Sequence, residues 1–136
     1  MTTEREVAAY REDPPLDDIF AIRYAVFVEG QGVSESEEMD GRDEAAIQFL
    51  ARDGNTAVGT ARLREPDPGV GKVERVAVLD DYQGDGWGRT IMETVEAVAR
   101  EEGIERLVLH GQTAVEEFYH GLGYETTSDV FLEADI

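Results

Sequence analysis

The chain has 136 residues, 41% of them hydrophobic, so a single domain over residues 1–136 with its own core is expected. The absence of cysteine excludes disulfides, thiolate metal sites and a cysteine nucleophile. A formal net charge of −19 without any basic cluster argues against binding to nucleic acid.

The acidic excess is the most unusual property of the composition. Thirty-one Asp and Glu residues oppose twelve basic residues, and Lys72 is the only lysine. The acids are spread along periodic segments, so they predict neither an acidic tail nor disorder. Two interpretations stay open. The fold is adapted to concentrated salt, where counterions screen its self-repulsion, or it is an ordinary acidic cytosolic protein.

The sequence predicts a cytoplasmic location. The N-terminus is polar and acidic, unlike a signal peptide, and no apolar run approaches the roughly 18 residues that cross a bilayer. No spacing of His, Asp and Glu suits a metal ion, so no metal is expected.

The first half of the chain predicts one strand, one helix and a three-stranded meander. Residues 7–10 form a short strand, and a helix opens at Leu16 after two prolines and is ended by Gly30 and Gly32. The meander consists of strand 46–52, turn 53–55, strand 56–64, loop 65–69 and strand 72–79.

The second half predicts alternating strands and helices. The glycine loop at residues 83–88 leads into a helix that runs to residue 102, and an apolar strand follows at 106–110. A capping box at Thr113 and Glu116 starts a short helix, and residues 130–132 are a last strand. The order of elements predicts a mixed α/β (α+β) fold, whose sheet has helices on both faces.

The glycine loop is the clearest candidate for a binding site. Gly84, Gly86 and Gly88 remove Cβ atoms between a strand and a helix, so backbone N–H groups can converge on a phosphate. Arg89 could add a charge-assisted contact. The alternative is a tight strand-to-helix connection without a ligand. The spacing fits neither a dinucleotide-binding fingerprint nor a Walker loop.

The loop and its surroundings resemble the GNAT superfamily of acyl-CoA-dependent N-acyltransferases. Gln83, Gly86 and Gly88 match the family's Gln/Arg-x-x-Gly-x-Gly/Ala loop, and residues 73–78 look like its splayed fourth strand. Residues 118–124 are similar to its FYxxLGF stretch. The resemblance implies a mostly antiparallel GNAT-like sheet and acetyl-CoA as co-substrate.

A narrower likeness is to the ElaA-like branch of this superfamily. Residues 26–33, followed by Asp40 and Asp43, look like that branch's VFVxEQGV region, and residues 109–112 resemble its LHAQ strand. In the family, variable loops build the acceptor pocket, which here implies residues 28–44 and 65–72.

The resemblance implies a set of cofactor-binding residues on the fourth strand, the loop and the later helix. They are Val76, Ala77, Val78, Gln83, Gly84, Asp85, Gly86, Trp87, Gly88, Arg89, Gln112 and Phe118. A backbone N–H near Val78 would hold the oxyanion. Trp87 could stack on adenine, although packing against the sheet is the simpler interpretation.

Catalytic candidates also follow from the resemblance. Tyr119 is the expected general acid for the leaving thiolate, against the alternative of a core tyrosine. For the base, Glu74 competes with His110, whose ordinary pKa suits proton transfer near neutrality. Glu29 and Gln31, together with Phe27, are expected to contact the acceptor.

The predicted function is direct transfer of an acetyl group from acetyl-CoA to the primary amine of a small molecule in a ternary complex. The alternatives are a non-catalytic acyl-CoA-binding or sensing module and an acetyltransferase of protein lysines or N-termini. A homodimer is compatible with the sequence, and membrane partners are not expected.

Overall fold

The computed structural model describes residues 5–30, 46–110, 119, 121–126 and 131–135. Its strands are β1 Arg5–Tyr10, β2 Ile47–Asp53, β3 Thr56–Asp67, β4 Val70–Val78, β5 Arg106–His110, β6 Glu125–Thr126 and β7 Phe131–Asp135. Its helices are α1 Leu16–Arg23, a π-helical segment Tyr24–Gly30 that continues α1, a short 3-10 turn Asp80–Tyr82, and α2 Trp87–Glu101.

The described strands form one seven-stranded sheet in the order β1-β2-β3-β4-β5-β7-β6. The neighbours are antiparallel except for β4 and β5, which run parallel. The turn between β2 and β3 is tight because Asp53 pairs directly with Thr56 and Gly54 takes a φ of 60°. The predicted mixed and mostly antiparallel sheet is confirmed.

Helices cover both faces of this sheet. The buried stripe of α2, including Ile91, Met92 and Val95, packs with Phe49 on one face. On the other face, Ile19 and Ile22 of α1 pack with Leu50 and Ala77. Because neighbouring residues of a strand point to opposite faces, Phe49 and Leu50 join different cores. The prediction of helices on both faces is therefore confirmed.

One element boundary was wrong in the sequence interpretation. Residues 65–67, expected in a loop, belong to β3, and β4 begins at Val70. The register shifts between the pairs Arg64–Lys72 and Asp67–Val70, so two residues of β3 oppose one of β4. This bulge accommodates Pro66, which lacks an N–H for the ladder. Most of the expected pocket segment 65–72 is consequently strand.

The other boundaries agree more closely. The helix from Leu16 does extend to Gly30, although its second half is π-helical. The last strand is longer than expected, with β7 pairing along the whole of β5, and β6 was not predicted. The capping box at Thr113 and Glu116 lies outside the described residues. None of the described helices is long and apolar enough to span a membrane.

Candidate active site

The pairing of the two parallel strands, β4 and β5, stops partway along β4. Their pairs run from Val70 with Arg106 to Val73 with Leu109, and β4 then continues to Val78 without β5 beside it in the described part of the chain. β5 keeps its pairing with β7 up to His110. Among the described residues, no strand pairs with this edge of β4 beyond Val73, so an extended ligand can pair with it there.

A bulge in β4 lies at this opening. Two residues, Arg75 and Val76, fall between the pairs that join Glu74 to Arg62 and Ala77 to Thr60. Arg75 has a φ of 55°, an uncommon conformation for a residue with a side chain. Such bulges bend a strand and are frequent beside active sites. The bulge lies just after Val73, the last residue of β4 that pairs with β5 in the described part of the chain.

The glycine loop connects the end of β4 to α2. Gly84 and Gly86 have φ values of 85° and 84°, which explains the need for glycine there. The carbonyl of Gly86 accepts hydrogen bonds from Thr90 through its backbone N at 3.1 Å and its Oγ1 at 3.0 Å. The first N–H groups of α2 have no carbonyl one turn earlier, so they can face an anion.

The side chain of Gln83 joins the glycine loop to the end of β4 by hydrogen bonds. Its Nε2 donates to the carbonyl of Val78 at 2.9 Å and to Oδ1 of Asp80 at 3.2 Å. The amide therefore closes the turn between β4 and the loop. This contact joins two parts of the expected cofactor site, the end of β4 and the start of the loop.

Trp87 belongs to the core at the start of α2. Its side chain is 2% exposed, Tyr82 meets its ring edge-on at 6.5 Å, and the guanidinium of Arg5 lies 4.3 Å from its ring centroid. These contacts correspond to the packing of Trp87 against the sheet, the simpler of the two sequence interpretations, rather than to stacking on adenine. The exposed Arg89 pairs with Glu93 one turn along the helix, at 3.2 Å.

Glu74 is held by three cations. Its carboxylate receives a hydrogen bond from Arg64, lies 3.3 Å from Arg62 and lies 4.0 Å from Lys72. Burial alone would raise the pKa of this carboxyl, but the Arg64 hydrogen bond and the positive charges of Arg62, Arg64 and Lys72 outweigh it and lower the pKa. Glu74 therefore stays ionised near neutrality and is a weak base.

Tyr119 packs in the core on the α2 face. Its side chain is 7% exposed, and burial raises the pKa of its hydroxyl to about 12. Val76 and Val78 of β4 pack against the same core. A phenol with this pKa is fully protonated at neutral pH, so it can donate a proton or a hydrogen bond.

Tyr124 fixes the ring of Tyr119. The two rings meet edge-to-face with centroids 5.8 Å apart, and the backbone N of Tyr124 donates to the carbonyl of Tyr119 at 3.0 Å. The Tyr124 hydroxyl donates to Oε1 of Glu96 on α2 at 3.1 Å. Tyr124 thus links Tyr119 to the helix that follows the glycine loop.

Several expected site residues lie beyond what the structure describes. Gln31, Gln112 and Phe118 fall outside the described residues, as do the side chains of Glu29 and His110. Phe27 packs against the core on the α1 face. In the described ranges, no group of three His, Asp or Glu side chains is arranged to hold a metal ion.

Sequence reasoning missed Arg5 and the cations around Glu74. Nothing in the local sequence connects Arg5 to the loop, since the contact spans 80 positions. Arg62 and Arg64 could have been found from the hairpin, because they sit on alternate positions of a strand that pairs with Glu74.

The comparisons with known proteins agree with this geometry. A profile described as "Acetyltransferase (GNAT) family" matches residues 15–124. A candidate acetyltransferase of Bacillus subtilis is 42% identical over 120 residues, which cover 86% of this chain and 81% of that protein. The chain belongs to the GNAT acetyltransferase family, and it is therefore an acetyltransferase.

Solved structures share the fold over nearly the whole chain. A candidate N-acetyltransferase from Lactobacillus plantarum has a TM-score of 0.88 and 25% identity, covering 96% of this chain and 97% of its own. A GNAT acetyltransferase from Elizabethkingia anophelis, solved with acetyl-CoA bound, has a TM-score of 0.81, 15% identity, and coverages of 97% and 98%. Escherichia coli ElaA has a TM-score of 0.81, 21% identity, and coverages of 97% and 99%.

Proposed function

We propose that the protein transfers the acetyl group of acetyl-CoA to a primary amine on a small molecule, by direct attack within a ternary complex. The observation that carries this proposal is that β4 pairs with β5 only up to Val73 in the described residues, while β4 itself runs on to Val78 and leads into the glycine loop. This arrangement leaves a strand edge and an anion-binding helix start on one continuous stretch of chain. Acetyl-CoA has an amide-containing arm, which can pair with the strand edge, followed by a pyrophosphate, which can bind at the start of the helix.

In the proposed donor site, the pyrophosphate binds the backbone N–H groups of residues 84–88. The pantetheine arm pairs with the free edge of β4 at Val76, Ala77 and Val78. Family membership supports acetyl-CoA as the donor, and the Elizabethkingia anophelis enzyme of similar fold, which was solved with acetyl-CoA bound, adds to that support.

The chemistry is a balanced acyl transfer. The neutral amine nitrogen forms a bond to the thioester carbonyl carbon, and the carbon–sulfur bond then breaks with its electron pair on sulfur. The nitrogen loses one proton, and the thiolate gains one. A backbone N–H near Val78 stabilises the oxyanion of the tetrahedral intermediate.

Groups from both sheet faces can meet at the opening. Glu74 and its cations lie on the α1 face, since Val73 beside it packs in the α2-side core. Tyr119 lies in that α2-side core. We assign the proton for the departing thiolate to Tyr119, because its buried hydroxyl stays protonated at neutral pH.

The identity of the base is tested by pH dependence. Because the three cations lower the pKa of Glu74, its ionisation cannot produce a loss of activity between pH 6 and pH 8. We expect the acidic limb of the kcat/KM profile to persist in Glu74→Gln. Its disappearance in His110→Gln would assign that limb to the imidazole. A limb that disappears in Glu74→Gln would contradict the expectation.

The Tyr124 hydroxyl is expected to contribute to stability and little to catalysis. Tyr124→Phe removes the hydrogen bond to Glu96, which should lower the free energy of unfolding by about 1 kcal/mol. The aromatic ring that contacts Tyr119 remains, so turnover should stay within about twofold. Urea denaturation and initial rates check both values. A fall in turnover as large as that of Tyr119→Phe would place the Tyr124 hydroxyl in the chemistry.

The function is tested by incubating the protein with acetyl-CoA and a panel of small primary amines, while following release of the free thiol. The proposal predicts one acetylated amine for each CoA released. Binding of CoA without turnover on any amine would favour the alternative of a sensing module. Acetylation confined to protein lysines or N-termini would favour a protein acetyltransferase.

The acceptor side of the proposal rests on the family resemblance. We propose that Phe27, Glu29 and Gln31 contact the amine, since they follow or lie within the helix that covers the α1 face. The homodimer, the cytoplasmic location and the adaptation to salt stay predictions from the sequence.

A further inference from the structure

Arg5, at the start of β1, reaches the glycine loop from the far edge strand of the sheet. Its Nη2 donates to the backbone carbonyl of Asp85 at 2.7 Å. Its guanidinium also lies over the ring of Trp87, 4.3 Å from the centroid. A Cβ placed on Gly86 would lie 3.7 Å from Nη1 of Arg5, so the guanidinium is in contact range of three consecutive loop residues.

This contact sets the direction of one peptide unit. In a trans peptide, the C=O of one residue and the N–H of the next point in opposite directions, and the structure contains no cis peptide bond in its described residues. Because Arg5 holds the Asp85 carbonyl, the N–H of Gly86 points to the opposite side of the loop. That N–H is one of the groups proposed to bind the pyrophosphate.

The neighbouring peptide unit is fixed independently. The carbonyl of Gly86 accepts two hydrogen bonds from Thr90 within α2, so the N–H of Trp87 points away from the helix. Gly86 has no side chain to limit its conformation, and the Gly86 N–H would rotate easily without a partner for the Asp85 carbonyl. The loop therefore needs an anchor outside the helix, and Arg5 occupies that position.

We propose that Arg5 is a positioning residue for the cofactor: it orients the Gly86 amide toward the pyrophosphate of acetyl-CoA and clamps the loop onto Trp87. The inference rests on the proposed donor site. Pre-orientation lowers the ordering cost of binding, so the affinity for CoA depends on Arg5 while the chemical step does not.

The test compares Arg5→Met with Arg11→Met. Both substitutions remove one positive charge, but Arg11 pairs with Glu101 and Glu102 at the opposite end of α2. Calorimetric titration with CoA should give a Kd about tenfold higher for Arg5→Met. It should change less than about twofold for Arg11→Met, since an exposed pair contributes little. The kcat at saturating acetyl-CoA should stay near the wild-type value in both variants.

Two further measurements test whether Arg5 acts through the pyrophosphate and whether its planar guanidinium matters beyond its charge. With acetyl-pantetheine, which lacks the pyrophosphate, kcat/KM of Arg5→Met should match the wild type. Dephospho-CoA keeps the pyrophosphate, so Arg5→Met should bind it more weakly than the wild type does. Arg5→Lys keeps the charge without the planar guanidinium, so it should restore affinity only in part.

The inference is overturned by an unchanged Kd in Arg5→Met, by an equal loss in Arg11→Met, or by full rescue in Arg5→Lys. A defect that persists with acetyl-pantetheine would also overturn it. Failure of the wild-type protein to bind CoA would overturn the proposed donor site, and this inference with it.

Discussion

Tyr119→Phe is expected to lower kcat about a hundredfold, because general acid catalysis contributes roughly 10²- to 10⁴-fold and the variant removes the donated proton. The Kd for acetyl-CoA should stay within about twofold, since the aromatic ring and its contact with Tyr124 are retained. Stopped-flow or steady-state thiol release gives kcat, and calorimetry with acetyl-CoA in the absence of an amine gives the Kd.

A tyrosine in the same core provides the matched control for this variant. Tyr124→Phe removes one hydroxyl from a ring whose centroid lies 5.8 Å from that of Tyr119, and it should retain turnover. Undiminished kcat in Tyr119→Phe would remove Tyr119 from the mechanism. Parallel losses in kcat and cofactor affinity would instead indicate that its hydroxyl supports binding.

Glu74→Ala is expected to cause the largest loss of stability, about 3 kcal/mol in the free energy of unfolding. Its carboxylate balances Arg62, whose side chain is 0% exposed, together with Arg64 and Lys72. Removing the carboxylate leaves these cations close together with one fewer partner. Urea denaturation at neutral pH measures the loss.

The matched control is Glu93→Ala. Glu93 also pairs with an arginine, but both side chains are more than half exposed, at 65% and 63%. Its removal should change the free energy of unfolding by less than about 0.5 kcal/mol. Equal losses of unfolding free energy in Glu74→Ala and Glu93→Ala would show that the stability of the fold does not depend on the Glu74 carboxylate balancing the cations around it.

The pH dependence of the Glu74 effect has a defined sign. The pKa of the carboxyl is lower in the folded protein than its ordinary value of 4.5. Its contribution is therefore present above pH 4.5 and is lost as the pH falls through the lower folded pKa. The difference in stability between the wild type and Glu74→Gln should be largest near neutrality and should shrink in acid.

The fold was largely predictable from the sequence because its signals are local. Short runs rich in apolar residues define β2 and β3, the glycine at position 54 defines their turn, and the stripe through Ile91 and Val95 defines α2. The strand through Pro66 was missed, because the bulge that tolerates this proline depends on the register with β4.

The site was less predictable because it depends on contacts between distant segments. The loop at residues 83–88 carries a sequence pattern, and the resemblance already implied a splayed fourth strand at residues 73–78. The residue at which β4 stops pairing with β5, Val73, is given only by the strand register. The ionic environment of Glu74 depends on which residues of β3 lie beside it. Arg5 reaches Asp85 across 80 positions of the chain, and no local pattern predicts such a contact.

A crystal structure of the protein with CoA tests the donor site most directly. We expect the pyrophosphate on the backbone N–H groups of residues 84–88, with the Gly86 amide among the donors and Arg5 still bound to the Asp85 carbonyl. We also expect the pantetheine arm along the edge of β4 at residues 76–78. A pyrophosphate bound away from this loop, or an arm that leaves the opening between β4 and β5 empty, would contradict this expectation.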